Sequence, residues 1–298
     1  MARQLSDLIA PGEPEQIASG LQFTEGPLWH PGGYLLFSDI PADTIYRWEP
    51  GREARRYIKP SRQSNGLTFD PLERLIACEH QGRQVSRIVP GGAMGTLVNN
   101  YQGKRLNSPN DVVVHSNGSI YFTDPPYGIL PDLGEIGFFG VYRVDTDGSI
   151  TLLVSDFIRP NGLAFNNDES VLFVADSWKR HVLAYAVNAD LSLGKPSVFA
   201  DMDVAETGNP DGIKIDIENN MYVAGGGGTL AAEQVKQADP DGNTILFTHT
   251  GQLIVNEVAG LTEDSLDAFD ICCSLHAAFG HADAVGRYFD CQFFELSQ

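Results

Sequence analysis

Short apolar runs punctuated by turn residues recur along most of this chain. Tyr34-Leu35-Leu36-Phe37-Ser38-Asp39 follows Pro31-Gly32-Gly33 and precedes a second run, Ile45-Tyr46-Arg47-Trp48. The theme returns as Leu75-Ile76-Ala77-Cys78-Glu79-His80 with Val85-Ser86-Arg87-Ile88. It returns again as Ile120-Tyr121-Phe122-Thr123-Asp124 with Val141-Tyr142-Arg143-Val144, and as Val171-Leu172-Phe173-Val174-Ala175-Asp176 with Val182-Leu183-Ala184-Tyr185. Such short runs, rich in β-branched and aromatic side chains and bounded by Gly, Pro, Asn and Asp, predict β-hairpins. A fifth copy begins at Met221-Tyr222-Val223-Ala224 and runs into Gly225-Gly226-Gly227-Gly228, either a tight passage near an axis or a flexible loop. Thr229 to Ala238 has more helical than strand composition.

Ahead of each hairpin stands a second, shorter pattern. Thr24-Glu25-Gly26-Pro27-Leu28-Trp29, Ser64-Asn65-Gly66-Leu67-Thr68-Phe69 and Pro109-Asn110-Asp111-Val112-Val113-Val114 share one register with Pro160-Asn161-Gly162-Leu163-Ala164-Phe165 and Pro210-Asp211-Gly212-Ile213-Lys214-Ile215. Glu25, Asn65, Asn110, Asn161 and Asp211 are spaced by 40, 45, 51 and 50 residues. Periods of about 40–50 residues mark propeller blades. Asn256-Glu257-Val258-Ala259-Gly260-Leu261, 45 residues after Asp211, begins a degenerate sixth unit, and His276 to Gln298 has no clear place in the repeat. Near the start, Glu15-Gln16-Ile17-Ala18 is placed to pair with the last blade and remove the exposed sheet edges. The expected architecture is all-β, one domain over residues 1–298: a six-bladed β-propeller with a metal site in its central tunnel and an atypical last blade and C-terminal segment.

Charge narrows the partners. The 298 residues carry 39 acids against 20 Lys and Arg, a formal charge of −19. That excess opposes phosphate backbones and anionic bilayers, so neither nucleic acid nor membrane is expected. No run approaches the roughly 20 apolar residues of a membrane span. Cys78, Cys272, Cys273 and Cys291 form no CxxC pair, so reduced thiols and a cytoplasmic location are expected. A monomer or weak homo-oligomer fits the same picture. No G-x-S-x-G elbow is present, and Gly225 to Gly228 lacks the Lys-Ser/Thr of a phosphate loop. His276 and His281 beside Cys272 and Cys273 match no strong zinc spacing.

Phe23-Thr24-Glu25-Gly26-Pro27, Lys104-Arg105-Leu106-Asn107-Ser108-Pro109-Asn110-Asp111, Phe122-Thr123-Asp124-Pro125-Pro126-Tyr127-Gly128, Pro160-Asn161-Gly162 and Pro210-Asp211-Gly212 closely resemble the SMP-30/gluconolactonase/LRE-like family, in its microbial gluconolactonase-like branch. The similarity covers about residues 15–228. It implies a six-bladed propeller, a divalent metal at the top of the tunnel and hydrolysis of a small-molecule lactone, mostly a sugar lactone. Carried over motif by motif, the metal ligands are Glu25, Asn110, Asn161 and Asp211, and Asn65 matches a pocket-lining position. The animal branch has a substrate-binding Arg two residues before the third-motif Asn; here that position is Ser108.

Two carboxylates and two carboxamides make a hard, oxygen-only donor set. It suits Ca²⁺ first, with Mg²⁺ or Mn²⁺ by substitution, and offers no thiolate or imidazole to select zinc. In that chemistry the cation polarises the lactone carbonyl, and Asp211 is the candidate general base; the alternative keeps Asp211 as a ligand only. His80, Arg105 and Asn107 are candidate substrate contacts, each weighed against a structural role. Asp111 is read as structural, and Asp124 as either bracing the pocket or capping a turn. Two other functions share these residues: an organophosphate or aryl-ester hydrolase, and a non-catalytic binding platform.

Overall fold

The computed structural model describes residues 16–88, 93–203, 209–226 and 246–247. Alternating side chains within each hairpin build four antiparallel four-stranded sheets in chain order. Strands β1 (Thr24–His30), β2 (Tyr34–Asp39), β3 (Thr44–Trp48) and β4 (Arg55–Ile58) make the first blade, and β5 (Ser64–Phe69), β6 (Leu75–Glu79), β7 (Gln84–Ile88) and β8 (Met94–Val98) the second. A small hairpin, β9 (Asn100–Tyr101) with β10 (Lys104–Arg105), leads to the third: β11 (Val112–Val114), β12 (Ile120–Asp124), β13 (Phe139–Val144) and β14 (Ile150–Phe157). The fourth is β15 (Pro160–Phe165), β16 (Val171–Asp176), β17 (His181–Ala186) and β18 (Ser197–Asp201).

A fifth sheet pairs β19 (Asn209–Ile215) with β20 (Met221–Gly226), and β21 (Leu246–Phe247) joins it in parallel. The propeller arrangement is therefore present, but the described residues give four complete blades and part of a fifth rather than six. The sixth unit expected at Asn256, the stretch of helical composition from Thr229 to Ala238 and the segment from His276 lie outside the described residues. Gly225 and Gly226 continue β20 as ladder residues opposite Pro210 and Asn209, so these two are strand and not loop, and Gly227 and Gly228 lie outside the described residues.

Period-two alternation explains how the blades hold together, because successive residues of one strand enter successive inter-blade cores. Leu75 and Ala77 pack with Leu28, Leu36 and Ile45 of the first blade. Between them, Ile76 turns to Val112, Phe122 and Tyr142 of the third. Tyr121 faces Leu163, Leu172 and Val174 of the fourth, and Ala164 and Val182 face Ile213 of the fifth. Each large side chain so buried contributes about 1.5–3 kcal/mol. At the first blade's other face, Ile17 covers Phe37 and Trp48. Residues 16–19 form no strand there, so the edge pairing expected of Glu15 to Ala18 is not seen among the described residues.

Each complete blade also carries a carboxylate at the end of its second strand. Asp39 accepts from the backbone N–H groups of Gln22 and Phe23, and Asp176 from those of Ile158 and Arg159. Asp124 accepts from the N–H groups of Asn107 and Ser108 and from the Asn107 amide, at 2.8, 2.8 and 3.1 Å. Glu79 takes the corresponding place in the second blade, 3.5 Å from Arg62. These acids pin the chain entering each first strand. Of the two roles considered for Asp124, bracing is the one observed.

Burial pushes the Asp124 carboxyl up to about 7, against the opposing hydrogen bonds. A folded pKa above the ordinary carboxylate range means that the group stabilises the fold fully at low pH and loses this contribution as pH rises through about 7. Asp124→Ala strands three buried donors and is expected to cost about 3 kcal/mol or more in urea denaturation at neutral pH. Asp124→Asn should flatten the decline in stability between pH 4 and 7; an unchanged slope would assign that decline to another group.

Candidate active site

All five register residues meet in one cavity. Glu25, Asn65, Asn110, Asn161 and Asp211 line it together with Asp111, Lys214 and Tyr222, in a space of about 480 Å³ that includes its mouth. Their convergence follows from how the first strands begin. In β1, β5, β15 and β19 the pairing register shifts directly at the motif, between Glu25 and Leu28, Ser64 and Leu67, Pro160 and Leu163, and Pro210 and Ile213. A bulge re-aims one side chain out of the sheet plane, and here it turns each motif residue toward the axis.

Glycine after the motif residue permits a close approach between blades. A Cβ at Gly66 would lie 2.6 Å from the Asn110 carbonyl oxygen. One at Gly26 would strike the carbonyl of Asn65, and one at Gly162 that of Asp211. Hydroxyls stitch the same seam: Ser38 donates to the Asn65 carbonyl at 2.8 Å, Thr123 to that of Asn161 at 2.9 Å, and Ser177 to that of Pro210 at 2.6 Å.

The carboxamides form a directed chain around the cavity. Asn65 Nδ2 donates to Asn110 Oδ1 at 2.6 Å, and Asn110 Nδ2 donates to Asn161 Oδ1 at 2.6 Å. Asn161 Nδ2 donates onward to Ser177 Oγ at 3.0 Å and reaches the Tyr127 hydroxyl at 3.4 Å. His80 Nε2 sits 3.2 Å from Asn110 Oδ1 and 3.3 Å from Asn65 Nδ2. Burial lowers the His80 pKa to about 4, so the ring is neutral at physiological pH, and a proton on Nε2 serves the bond to Asn110. His80 does not line the cavity; it stands behind Asn65 and Asn110 and fixes them.

Burial also raises Asp211, to about 6, with the charge of Asp111 adding to the rise and a hydrogen bond from Asn161 opposing it. Asp111 is structural as expected, since its carboxylate accepts from the N–H groups of Val112 and Leu163. It nonetheless reaches the cavity wall, because β11 starts only at Val112 and the residues before it are not yet held in a strand's alternation.

Two candidate substrate contacts are placed elsewhere. Arg105 is exposed on β10, where its guanidinium donates to the Gly82 carbonyl at 3.1 Å. Asn107 is buried, with its amide committed to Asp124 and to the Phe138 carbonyl. Neither lines the cavity; nearness to Asn110 in sequence put them forward, and the turn ahead of β11 carries them away. Tyr127 and Ser177, which do touch Asn161, had no assigned role. Ser177 could have been found from its place directly after the blade-end acid Asp176.

The donor set fits a hard divalent cation. Two carboxylates and two carboxamides line one cavity, and the amide contacts of 2.6 Å are shorter than ordinary N–H···O bonds. A cation held there would take the Asn110 and Asn161 oxygens in place of the neighbouring amide donors. Among the described residues no group of three or more His, Cys, Asp or Glu side chains is gathered for a metal, so the carboxamides are essential to any such set.

A gluconolactonase of Zymomonas mobilis is 34% identical over 243 residues, covering 72% of this chain and 67% of that protein. A pentonolactonase of Haloferax volcanii is 26% identical over 67% of this chain and 65% of its own length, so the chain spans about two thirds of these relatives. Among solved structures, one from Xanthomonas campestris described as a gluconolactonase aligns with a TM-score of 0.64 and 30% identity, over 74% of this chain and 81% of its own. Residues 23–252 match the model of the SMP-30/gluconolactonase/LRE-like region, and the chain belongs to that family.

Proposed function

We propose that this chain is a hydrolase that opens sugar lactones, with a divalent cation held by Glu25, Asn110, Asn161 and Asp211. The observation that carries this reading is the meeting of these four residues, and Asn65, in one cavity. The gluconolactonase and pentonolactonase relatives support the substrate class. Bound there, Ca²⁺, or Mg²⁺ or Mn²⁺ in its place, would supply Lewis acidity at the lactone carbonyl.

The residues themselves divide the remaining work. Asp211 accepts the proton of the attacking water from its place on the cavity wall. Asn65 binds substrate from the cavity wall, and its amide together with His80 holds Asn110 in orientation. Ser177 and Tyr127 do the same for Asn161. In this reading six blades close the ring.

A pH-stat assay tests the proposal. Glucono-δ-lactone and a five-carbon aldonolactone are followed before and after EDTA, with Ca²⁺, Mg²⁺ or Mn²⁺ then added back singly. Hydrolysis should disappear with EDTA and return with one of the three ions. Full activity in EDTA would overturn the metal, and a preference for paraoxon over every lactone would overturn the substrate class. Glu25→Gln removes one of two ligand charges and should weaken metal affinity about tenfold or more by titration calorimetry. Unchanged affinity in both Glu25→Gln and Asp211→Asn would rule the ligand set out.

A further inference from the structure

Beside the ring cavity three side chains from three loops stack together. Tyr127 follows β12, Arg159 directly precedes β15, and Trp178 follows β16. The Arg159 guanidinium carbon lies 5.9 Å from the centre of the Tyr127 ring and 5.1 Å from that of Trp178. The Tyr127 hydroxyl is 3.4 Å from Asn161 Nδ2, which ties the stack to the ring of cavity residues.

The stack is built rather than incidental. Asp176, fully buried, accepts from the backbone N–H groups of Arg159 at 3.2 Å and Trp178 at 3.0 Å through the same oxygen. One anchored carboxylate thus fixes both main chains. Trp178 nevertheless keeps 60% of its surface exposed, and Tyr127 38%.

Arg47, Arg74, Arg87 and Arg143 each have a carboxylate within ion-pair reach. Among the described residues no carboxylate stands in that relation to Arg159. Aromatic faces hold a guanidinium by its plane and leave its N–H edge pointing outward. That edge matches carboxylate and phosphate oxygens two at a time. In a protein of net charge −19, a cation with no carboxylate in ion-pair reach among the described residues, beside a cavity, is placed to meet an incoming anion.

We infer that Arg159, bracketed by Tyr127 and Trp178, recognises an anionic substituent, a carboxylate or phosphate ester, on the part of the lactone remote from its ester group. This rests on the lactonase reading for the identity of the substrate, but not for the existence of the anion site. The aromatic faces bound the position of the charge, and the Tyr127 hydroxyl links it to Asn161.

The test compares glucono-δ-lactone, D-glucaro-1,4-lactone and 6-phosphoglucono-δ-lactone in the parent, Arg159→Ala and Arg159→Lys. The ratio of kcat/KM for a charged lactone to that for the neutral one should fall about tenfold or more in Arg159→Ala, mainly through KM. Arg159→Lys should retain part of it. The charged lactone that loses more identifies the group as carboxylate or phosphate.

A second measurement is independent of turnover. D-glucarate should change the fluorescence of Trp178, as shown by loss of the signal in Trp178→Phe, whereas D-glucitol should not, and Arg159→Ala should abolish glucarate binding. An unchanged ratio, an equal loss on charged and neutral lactones, or no glucarate binding by the parent would each overturn the inference. Arg159-dependent glucarate binding by a protein that opens no lactone would instead sustain the anion site and reject the lactonase reading.

Discussion

Asp211→Asn, saturated with metal, is expected to open a sugar lactone about 10²–10⁴-fold more slowly than the parent, the usual range for loss of a general base. Asparagine preserves the volume and one ligating oxygen, so metal can still be loaded at high concentration. What it removes is a proton acceptor in a cavity shared with Asn161 and Asp111. The comparison therefore has to be made with metal occupancy equal in the two proteins. If the saturated variant works at nearly the parental rate, Asp211 is a ligand only and the proton leaves by another route.

Gly162→Ala should be nearly as damaging without touching any donor atom. The new methyl would fall on the Asp211 carbonyl and lie 2.6 Å from Ile213 N and 2.7 Å from Gly212 Cα. All three obstacles are main chain, so no rotamer relieves them, and β19 has to move away from β15. A loss of about 3 kcal/mol or more is expected, at the upper end of overpacking effects. Because the displaced segment carries Asp211, metal affinity and turnover should fall together. Gly148→Ala is the control: its φ of +86° strains any side chain, but nothing lies within 4 Å, so a cost of only about 1 kcal/mol is expected. Equal stability of the two variants in denaturant titrations would refute the close approach.

The ring of cavity residues was legible because its members repeat in register with their own turn chemistry. Asn65-Gly66 and Asn161-Gly162 mark both the bulge and the close approach, and the spacing alone puts them two blades apart. The outer strands left no such trace. Arg55–Ile58 and Ser197–Asp201 lie largely exposed at the periphery, so burial imposes little apolar pattern on them. Alternation also misleads where no strand exists: it would put the consecutive Asn110 and Asp111 on opposite faces, yet both line the cavity. Arg105 and Asn107 show the limit of nearness along the chain, since one turn separates them from their neighbour in space. The blade-end acids Asp39, Glu79, Asp124 and Asp176 repeat as clearly as the ring residues. Their partners are backbone N–H groups some 16–18 residues away for Asp39, Asp124 and Asp176, and no side-chain pattern announces such partners.

The glycine contacts between neighbouring first strands have a wider consequence. Where Gly26, Gly66 and Gly162 let one blade rest on the carbonyl of the next, the bore of the ring is set by peptide groups and not by the side chains that project into it. Such a socket keeps its gauge when its fittings change. Positions 25, 65, 110, 161 and 211 can then exchange carboxylate for carboxamide, or lose a donor altogether, while the main chain that carries the remaining ones stays in place. A scaffold of this kind can drift from one hydrolysed bond to another by single substitutions at the rim and within the ring, with its backbone left as it was.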